Sequence, residues 1–178
     1  QQDIEYIPYS DKQLNWHTDG YYNSQSNSIL SWLLYCVCPS DDGGINKYMD
    51  HEIAYILYNK NYQNIAKLMI PDSYIIPENK SNGRPEVKNP VFSFVNNRLN
   101  MKFSMREKNI IWNEKITEEI NNLKNIIESS HDYHLTYKLQ AGQGVVTNNV
   151  IHMRTAFTNS KNKNRLLYRL RSKIRVSC

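Results

Sequence analysis

The chain has 178 residues, of which 40% are hydrophobic and 22% charged, and its formal net charge is +5. These values are typical of one globular domain and exclude a fibrous or intrinsically disordered class. The charge is uneven, because residues 161–178 hold seven basic and no acidic residues, whereas residues 1–160 hold 15 basic and 17 acidic ones.

Partners and location are restricted by three further features. No stretch is long and apolar enough to span a bilayer, so we expect no membrane partner. The three cysteines, Cys36, Cys38 and Cys178, form no disulfide framework, which predicts a reducing cytoplasm. The basic C-terminal segment is not interleaved with aromatic residues as a stacking platform, so we expect no nucleic-acid partner.

The first half of the chain predicts a strand, a helix and a loop. Residues 28–38 form a short apolar run before Pro39, which predicts a buried strand, and the Asp-Asp-Gly-Gly of residues 41–44 predicts a turn. Asp50 is a candidate N-cap for a helix that continues to about residue 58. Residues 71–90, with four prolines, predict a loop or flap, and residues 90–95 alternate like a strand.

The second half predicts one helix and then three strands. Isoleucine and leucine recur at spacings of three and four within 114–129, which is typical of an amphipathic helix. The strands are expected at 133–139, 144–154 and 165–176. Strands at both ends with helices between them predict a mainly β sandwich or barrel with flanking helices.

The first candidate for chemistry is His17-Thr18-Asp19. Residues two apart on a strand point to the same side, so His17 and Asp19 would present an imidazole and a carboxylate together. Those groups are two ligands for a divalent metal. The alternative is a surface strand that carries two polar residues.

His152 is the second candidate, and it lies in an apolar strand that follows a glycine turn. Alone, a histidine in a strand is more often a buried structural residue than a metal ligand. With His17 and Asp19 it completes two histidines and one carboxylate, the set that binds non-haem Fe(II) and leaves positions open. A structural zinc site usually uses four ligands with cysteines, and no second cysteine pair is present, so zinc is the weaker alternative.

Basic residues follow His152 on the last predicted strand. Alternation places Arg165, Leu167, Arg169 and Arg171 on one face. An arginine beside a metal site can bind a carboxylate through two parallel hydrogen bonds, and we favour that role for Arg165. For Arg171 and for the basic residues that follow it, Lys173 and Arg175, we expect a solvated edge strand instead.

Four segments in this order resemble the taurine dioxygenase / clavaminate synthase family of Fe(II)- and 2-oxoglutarate-dependent oxygenases. They are His17-Thr18-Asp19, residues 39–46 (PSDDGGIN), residues 149–157 (NVIHMRTAF) and residues 165–169 (RLLYR). The resemblance extends from about residue 15 to residue 170, which is nearly the whole chain.

The resemblance implies a double-stranded β-helix, or jelly-roll, core and a cofactor site. It implies that His17, Asp19 and His152 hold Fe(II) and that Arg165 binds the distal carboxylate of 2-oxoglutarate. Asn46 stands where many relatives have a threonine that contacts this carboxylate, and its amide can donate an equivalent hydrogen bond.

The resemblance also implies substrate residues and an activity. Arg169 matches a position that binds an anionic substrate in some relatives, and Arg154 and Arg106 are weaker candidates. The implied reaction uses O2 to hydroxylate or desaturate a small organic substrate, with release of succinate and CO2. A halogenase of this type lacks the carboxylate ligand, so Asp19 favours hydroxylation.

Relatives usually have a substantial segment before the His-x-Asp motif, whereas 16 residues precede His17 here. We therefore expect one oxygenase-like domain over 1–178, with a helical and loop insertion at about 50–130 and a core that is incomplete on its N-terminal side. Open sheet edges in such a core predict a homo-oligomer. The alternative function is a non-catalytic jelly-roll protein that binds a small molecule.

Overall fold

The computed structural model describes residues 10–106, 108, 110–161 and 164–177. Within these residues, 14 strands and two α-helices follow one another. The strands are β1 (Leu14–His17), β2 (Ser31–Cys38), β3 (Asp42–Gly43), β4 (Asn46–Met49), β5 (Tyr74–Ile76), β6 (Val87–Asn89), β7 (Phe92–Val95), β8 (Arg98–Met101), β9 (Ile111–Trp112), β10 (Leu135–Tyr137), β11 (Gly144–Thr147), β12 (Ile151–Arg154), β13 (Phe157–Thr158) and β14 (Leu166–Ser172). The α-helices are α1 (His51–Tyr62) and α2 (Thr117–Ser129), and short 3₁₀ turns occupy Gln25–Asn27, Ile65–Met69, Lys80–Asn82, Glu114–Ile116 and His131–Tyr133. Nowhere in this described part is a helix both long and apolar enough to cross a membrane.

Two antiparallel sheets form the centre of the molecule. The first has the order β1-β12-β4-β10 and the second β11-β2-β14. Side chains from both sheets pack together, with Trp32, Leu34 and Cys36 of β2 against Tyr48 of β4. The prediction of a mainly β fold with flanking helices is confirmed.

The second sheet buries only one of its faces. On β2, Trp32 and Cys36 are almost fully buried, whereas the alternate residues Leu33, Tyr35 and Val37 are about 40% exposed. Their exposed cross-strand neighbours continue the surface on both sides, so we define the outer apolar face by Leu33, Tyr35, Val37, Val146, Tyr168 and Leu170. The prediction of a buried strand at 28–38 is therefore correct for one face and wrong for the other.

The two helices pack on the first sheet and enclose a larger core. The Asp50 side chain accepts a hydrogen bond from the Glu52 amide at 2.9 Å, as predicted for an N-cap, and α1 continues one turn beyond the predicted end. In the second helical segment the first turn is 3₁₀ and α2 begins at Thr117. The apolar stripe predicted for α2 is buried in the same core as Trp16 and Ile151. These two residues directly precede the metal-ligand candidates His17 and His152.

Three of the predicted elements differ from the structure. Within the turn predicted at 41–44, Asp42 and Gly43 form the short strand β3, which pairs with β13. Residues 144–154 form two strands, because Asn149 has a left-handed conformation (φ 56°) between β11 and β12 and the chain passes there from one sheet to the other. Residues 71–90 are not only a loop, since β5 and β6 pair with each other and β5 pairs with β9. The expectation that 50–130 is an insertion in a single domain stays a prediction.

Lys102 gives a test of this core by pH. Its ammonium group is buried and donates to the carbonyl oxygens of Asn23 (2.6 Å) and Ser24 (2.8 Å) and to Oδ1 of Asn89 (3.3 Å). Burial lowers the pKa of Lys102 to about 8, below its value in an unfolded chain. Between these two pKa values the unfolded state binds more protons, so folding stability from this group rises with pH from about 8 to 10.5.

We therefore expect wild-type protein to gain up to about 3 kcal/mol relative to Lys102→Met between pH 7.5 and pH 10.5. Urea unfolding of both proteins at several pH values measures this difference in the free energy of unfolding. The other titratable groups are the same in both proteins, so their contributions cancel in the difference. Parallel stability curves for the two proteins would contradict a depressed pKa at Lys102.

Candidate metal and cosubstrate site

Three candidate ligands converge between the two sheets. Strand β1 pairs with β12, and His17 lies opposite His152 in the register, with ring centroids 4.3 Å apart. Oδ1 of Asp19 lies 3.9 Å from Nε2 of His17 and 3.6 Å from Nε2 of His152. All three ligand atoms are within 4.8 Å of one another, which is close enough to bind one metal ion.

Both imidazoles are oriented by backbone carbonyl groups. Nδ1 of His17 lies 2.7 Å from the carbonyl oxygen of Asn15, and Nδ1 of His152 lies 3.0 Å from that of Val150. A carbonyl oxygen only accepts hydrogen bonds, so each Nδ1 carries the proton. Each Nε2 therefore presents its lone pair to the site, as in metal centres where a second shell fixes the tautomer.

Asn149 holds the chain segment that carries Asp19. Its Oδ1 accepts from the Asp19 amide at 2.8 Å, and its Nδ2 donates to the carbonyl oxygens of Asp19 (3.0 Å) and Ile29 (2.7 Å). The sequence did not predict this role. The only local signal is the Asn148-Asn149 pair, because asparagine tolerates the left-handed conformation that the turn before β12 requires.

The protonation states of His17 and Asp19 suit metal binding at neutral pH. Burial, with a contribution from neighbouring His152, lowers the pKa of His17 to about 3, so its imidazole is neutral. Burial opposes ionisation of Asp19, but the guanidinium groups of Arg169 and Arg171 outweigh it. The pKa of Asp19 consequently lies well below its ordinary value, and the carboxylate is ionised.

Arg169 and Arg171 both reach Asp19 from the second sheet. Nη1 of Arg169 is 3.1 Å from Oδ1, and Nε of Arg171 is 2.7 Å from Oδ2. Nη2 of Arg169 also lies 3.2 Å from Nε2 of His152. Arg171 lies on the edge strand β14 and is exposed, as predicted, but alternation along β14 also turns it toward Asp19, a contact that the sequence did not predict. Arg175 also has a partner, since it donates to the Leu99 carbonyl oxygen at 3.0 Å.

Arg165 and Asn46 line a cavity of about 470 Å³ that is also lined by His152, Arg169 and Arg171. The Arg165 guanidinium lies 4.9 Å from the centre of the Phe157 ring, and within the described residues it has no hydrogen-bonded or ion-paired partner. Nδ2 of Asn46 is buried and also lacks a hydrogen-bond partner there. These two donors are therefore available to a bound anion.

The remaining candidates are placed differently. Arg154 lines the cavity, but its guanidinium is held by the carbonyl oxygens of Ser10 (2.9 Å) and Lys12. Burial lowers the pKa of Arg154 to about 10, so it is still charged at neutral pH. Arg106 does not line the cavity; it follows Ser104, which forms an isolated bridge with His17.

The model of the taurine catabolism dioxygenase TauD, TfdA family matches residues 1–171. The chain belongs to this family. No curated protein matches the sequence. The four quoted segments, which resembled the same group of oxygenases, thus identified the family correctly.

Solved structures similar to this member of the TauD, TfdA family show its fold. One is an asparagine oxygenase in complex with Fe(II), 2S,3S-3-hydroxyasparagine and succinate, with a TM-score of 0.67 and 16% sequence identity. The match covers 93% of this chain and 53% of the asparagine oxygenase chain. The PvcB protein from Pseudomonas aeruginosa has a TM-score of 0.63 and 16% identity, with 94% and 59% covered. The non-heme iron oxygenase OrfP in complex with Fe and alpha-ketoglutaric acid has a TM-score of 0.60 and 16% identity, with 90% and 49% covered.

These likenesses confirm the jelly-roll core that the sequence predicted for this TauD, TfdA family member. They also show that the chain spans about half the length of the solved structures it matches.

Proposed function

We propose that this chain is an Fe(II)- and 2-oxoglutarate-dependent dioxygenase that hydroxylates or desaturates a small anionic substrate and releases succinate and CO2. His17, Asp19 and His152 hold the iron, and Arg165 with Asn46 binds 2-oxoglutarate. The observation that carries the proposal is the convergence of two imidazole Nε2 atoms and one carboxylate oxygen within 4.8 Å. The family and the oxygenases that share its fold support it.

The donor set fits iron better than a structural metal. Two histidines and one carboxylate leave coordination positions open, which suits non-haem Fe(II). When bound, Fe(II) and 2-oxoglutarate supply O2 activation, in which decarboxylation of the cosubstrate drives oxidation of the substrate. The solved asparagine oxygenase contains Fe(II) and succinate, and OrfP contains Fe and alpha-ketoglutaric acid, so similar folds hold these groups.

Arg165 and Asn46 fit a carboxylate. Guanidinium groups bind carboxylates through two parallel hydrogen bonds, and the buried amide of Asn46 supplies a further donor from β4. Phe157 packs against the Arg165 guanidinium and restricts its orientation. Arg165 and Asn46 would thus hold the cosubstrate in the cavity that His152, one of the metal ligands, also lines.

Location and assembly are part of the same proposal. Cys36 and Cys38 are free, which agrees with a reducing cytoplasm. The outer apolar face is typical of a surface that associates with protein, which supports a homo-oligomer.

An anaerobic titration with Fe(II) and 2-oxoglutarate tests the proposal. We expect a visible charge-transfer band that shifts on adding a substrate, and succinate production once O2 is admitted. Arg165→Gln is expected to weaken 2-oxoglutarate binding at least about 30-fold, because one charge-assisted pair is lost. Arg98→Gln, which removes an exposed arginine outside the cavity, is the matched control. A protein that binds small anions but gives neither band nor succinate would be the non-catalytic binding protein instead.

A further inference from the structure

The Arg169 guanidinium bridges two of the three candidate ligand atoms. Its Nη1 lies 3.1 Å from Oδ1 of Asp19, the carboxylate oxygen that is within 4 Å of both imidazole Nε2 atoms. Its Nη2 lies 3.2 Å from Nε2 of His152. Because Nδ1 of His152 carries the ring proton, Nε2 accepts a hydrogen bond from the guanidinium. One delocalised positive charge therefore contacts the same lone pairs that a divalent metal ion would use.

This contact and metal binding exclude each other. The single lone pair on Nε2 of His152 can serve either a metal ion or an N–H donor. A metal ion at a bonding distance of about 2 Å from that nitrogen would also lie against the guanidinium, and the two positive charges would repel. Arg169 must therefore leave His152 before the three ligands can hold a metal ion.

The side chain of Trp32 supports Arg169 in this position. The guanidinium carbon lies 5.3 Å from the centre of the Trp32 ring, which suits a cation–π contact. The same ring lies 4.7 Å from the ring of His152, and Trp32 is almost fully buried, so it cannot move aside. The guanidinium is thus placed by a carboxylate, an imidazole and an indole together, which is unlike a casual surface contact.

Two further features allow Arg169 to leave. Its Nε is buried and has no hydrogen-bond partner within the described part of the chain. A buried donor without a partner costs free energy, which lowers the barrier to displacement of this side chain. Arg169 also lines the cavity of about 470 Å³, so its head group can turn into that space without any change in the sheets.

On the basis of the proposed function, we propose that Arg169 is an internal substitute for the metal ion. Its guanidinium holds Asp19 and His152 together in the metal-free protein, and the metal ion displaces it into the cavity. The buried carboxylate and the imidazole thus share a cation in both states. Metal loading and release of Arg169 are then a single event, so the shape and charge of the cavity depend on whether the metal site is filled.

Titration with Co(II), followed by absorption, tests the exchange by affinity. Arg169→Met removes the guanidinium and keeps an unbranched side chain against Trp32. This variant is expected to bind Co(II) at least about tenfold more tightly than wild type, because the metal ion no longer displaces two charge-assisted hydrogen bonds.

Arg171→Met is the matched control for charge. Nε of Arg171 lies 2.7 Å from Oδ2, the other carboxylate oxygen of Asp19, so this variant removes an equal charge from the same carboxylate. If Arg169 only repelled the metal ion, both variants would gain affinity equally. Because Arg169 also uses the lone pair of His152, its variant is expected to gain at least about threefold more than Arg171→Met.

Arginine side-chain NMR reads the position of Arg169 in the wild-type protein. A guanidinium held by two hydrogen bonds rotates slowly and gives separate Nη–H signals, which are assigned by their loss in Arg169→Met or Arg169→Lys. Zn(II), which is diamagnetic, is expected to shift and merge these signals as the guanidinium leaves Asp19 and His152.

The outcomes separate this proposal from the proposed function. Arg169 signals that stay unchanged at saturating Zn(II), or equal affinity gains in the two methionine variants, would overturn the exchange and leave the oxygenase proposal standing. Failure of the wild type to bind either metal would overturn the oxygenase proposal. In that case Co(II) binding that appears only in Arg169→Met would still support mutual exclusion, and binding by neither protein would refute it.

Discussion

Replacing Asp19 by alanine is expected to abolish turnover that depends on Fe(II) and to weaken divalent-metal binding at least about 100-fold. The carboxylate is the one anionic ligand of the three, and its loss leaves two neutral imidazoles. Removal of second-shell partners alone typically costs 10- to 100-fold in metal affinity, so loss of a ligand costs at least as much. Arg169 and Arg171 would also lose the carboxylate that they share, and their guanidinium groups would then repel the metal ion.

Co(II) absorption and succinate release measure these two effects. Asp19→Asn keeps the size of the side chain and is expected to behave like the alanine variant in both measurements. Asp72→Ala, which changes an exposed aspartate outside the site, is the matched control for the loss of one negative charge. Wild-type turnover in Asp19→Ala would count against the assignment of the metal site.

The second large effect is expected for Gly44→Ala. Gly44 has φ +67°, and a Cβ atom there would lie 2.5 Å from Oγ of Ser40 and 3.3 Å from Nε of Arg165. The 2.5 Å contact would displace Ser40 Oγ from its hydrogen bond to the Gly43 carbonyl oxygen, and the 3.3 Å contact would shift the Arg165 guanidinium by a few tenths of an ångström. We expect 2-oxoglutarate binding to weaken at least about tenfold, because misplacement of an orienting arginine costs charge-assisted hydrogen bonds.

Gly83→Ala separates backbone strain from this contact. Gly83 has the same φ of +67°, but a Cβ atom there would have no neighbour within 4 Å. Both variants have the cost of a left-handed conformation, about 1–2 kcal/mol, but only Gly44→Ala also brings a Cβ atom against Ser40 and Arg165. Thermal unfolding reports the shared strain, and titration with 2-oxoglutarate reports the difference. Equal cosubstrate affinity in the two variants would exclude a role for Gly44 in placing Arg165.

The site could be predicted from the sequence where its residues are close together in the chain, or where they lie in segments that occur in the order typical of the family. His17 and Asp19 are two positions apart, so their common direction follows from strand geometry alone. His152 and Arg165 could be assigned only from the order of four segments, because no local pattern links His152 to Asp19, which is 133 positions away. The N-cap Asp50 and the stripe of α2 were predictable because both signals lie within one helix.

What the sequence could not show depends on contacts between distant residues. Asn149 contacts Asp19 across 130 positions and Arg171 contacts it across 152, and neither pair has a local signature. Arg171 resembles an ordinary edge-strand cation in sequence, and only the packing of the two sheets brings it to the carboxylate. The break within 144–154 was missed because the residues on both sides favour strands while a single left-handed asparagine ends one and precedes the next.

The outer apolar face has a practical consequence for every stability measurement described above. Solvatochromic dyes such as anilinonaphthalene sulfonate bind clustered apolar side chains, and Leu33, Tyr35, Tyr168 and Leu170 already offer such a cluster in the folded protein. Dye fluorescence will therefore start high and change little on melting. Circular dichroism, or emission from the three tryptophans, of which Trp16 and Trp32 are buried, will follow unfolding without that background.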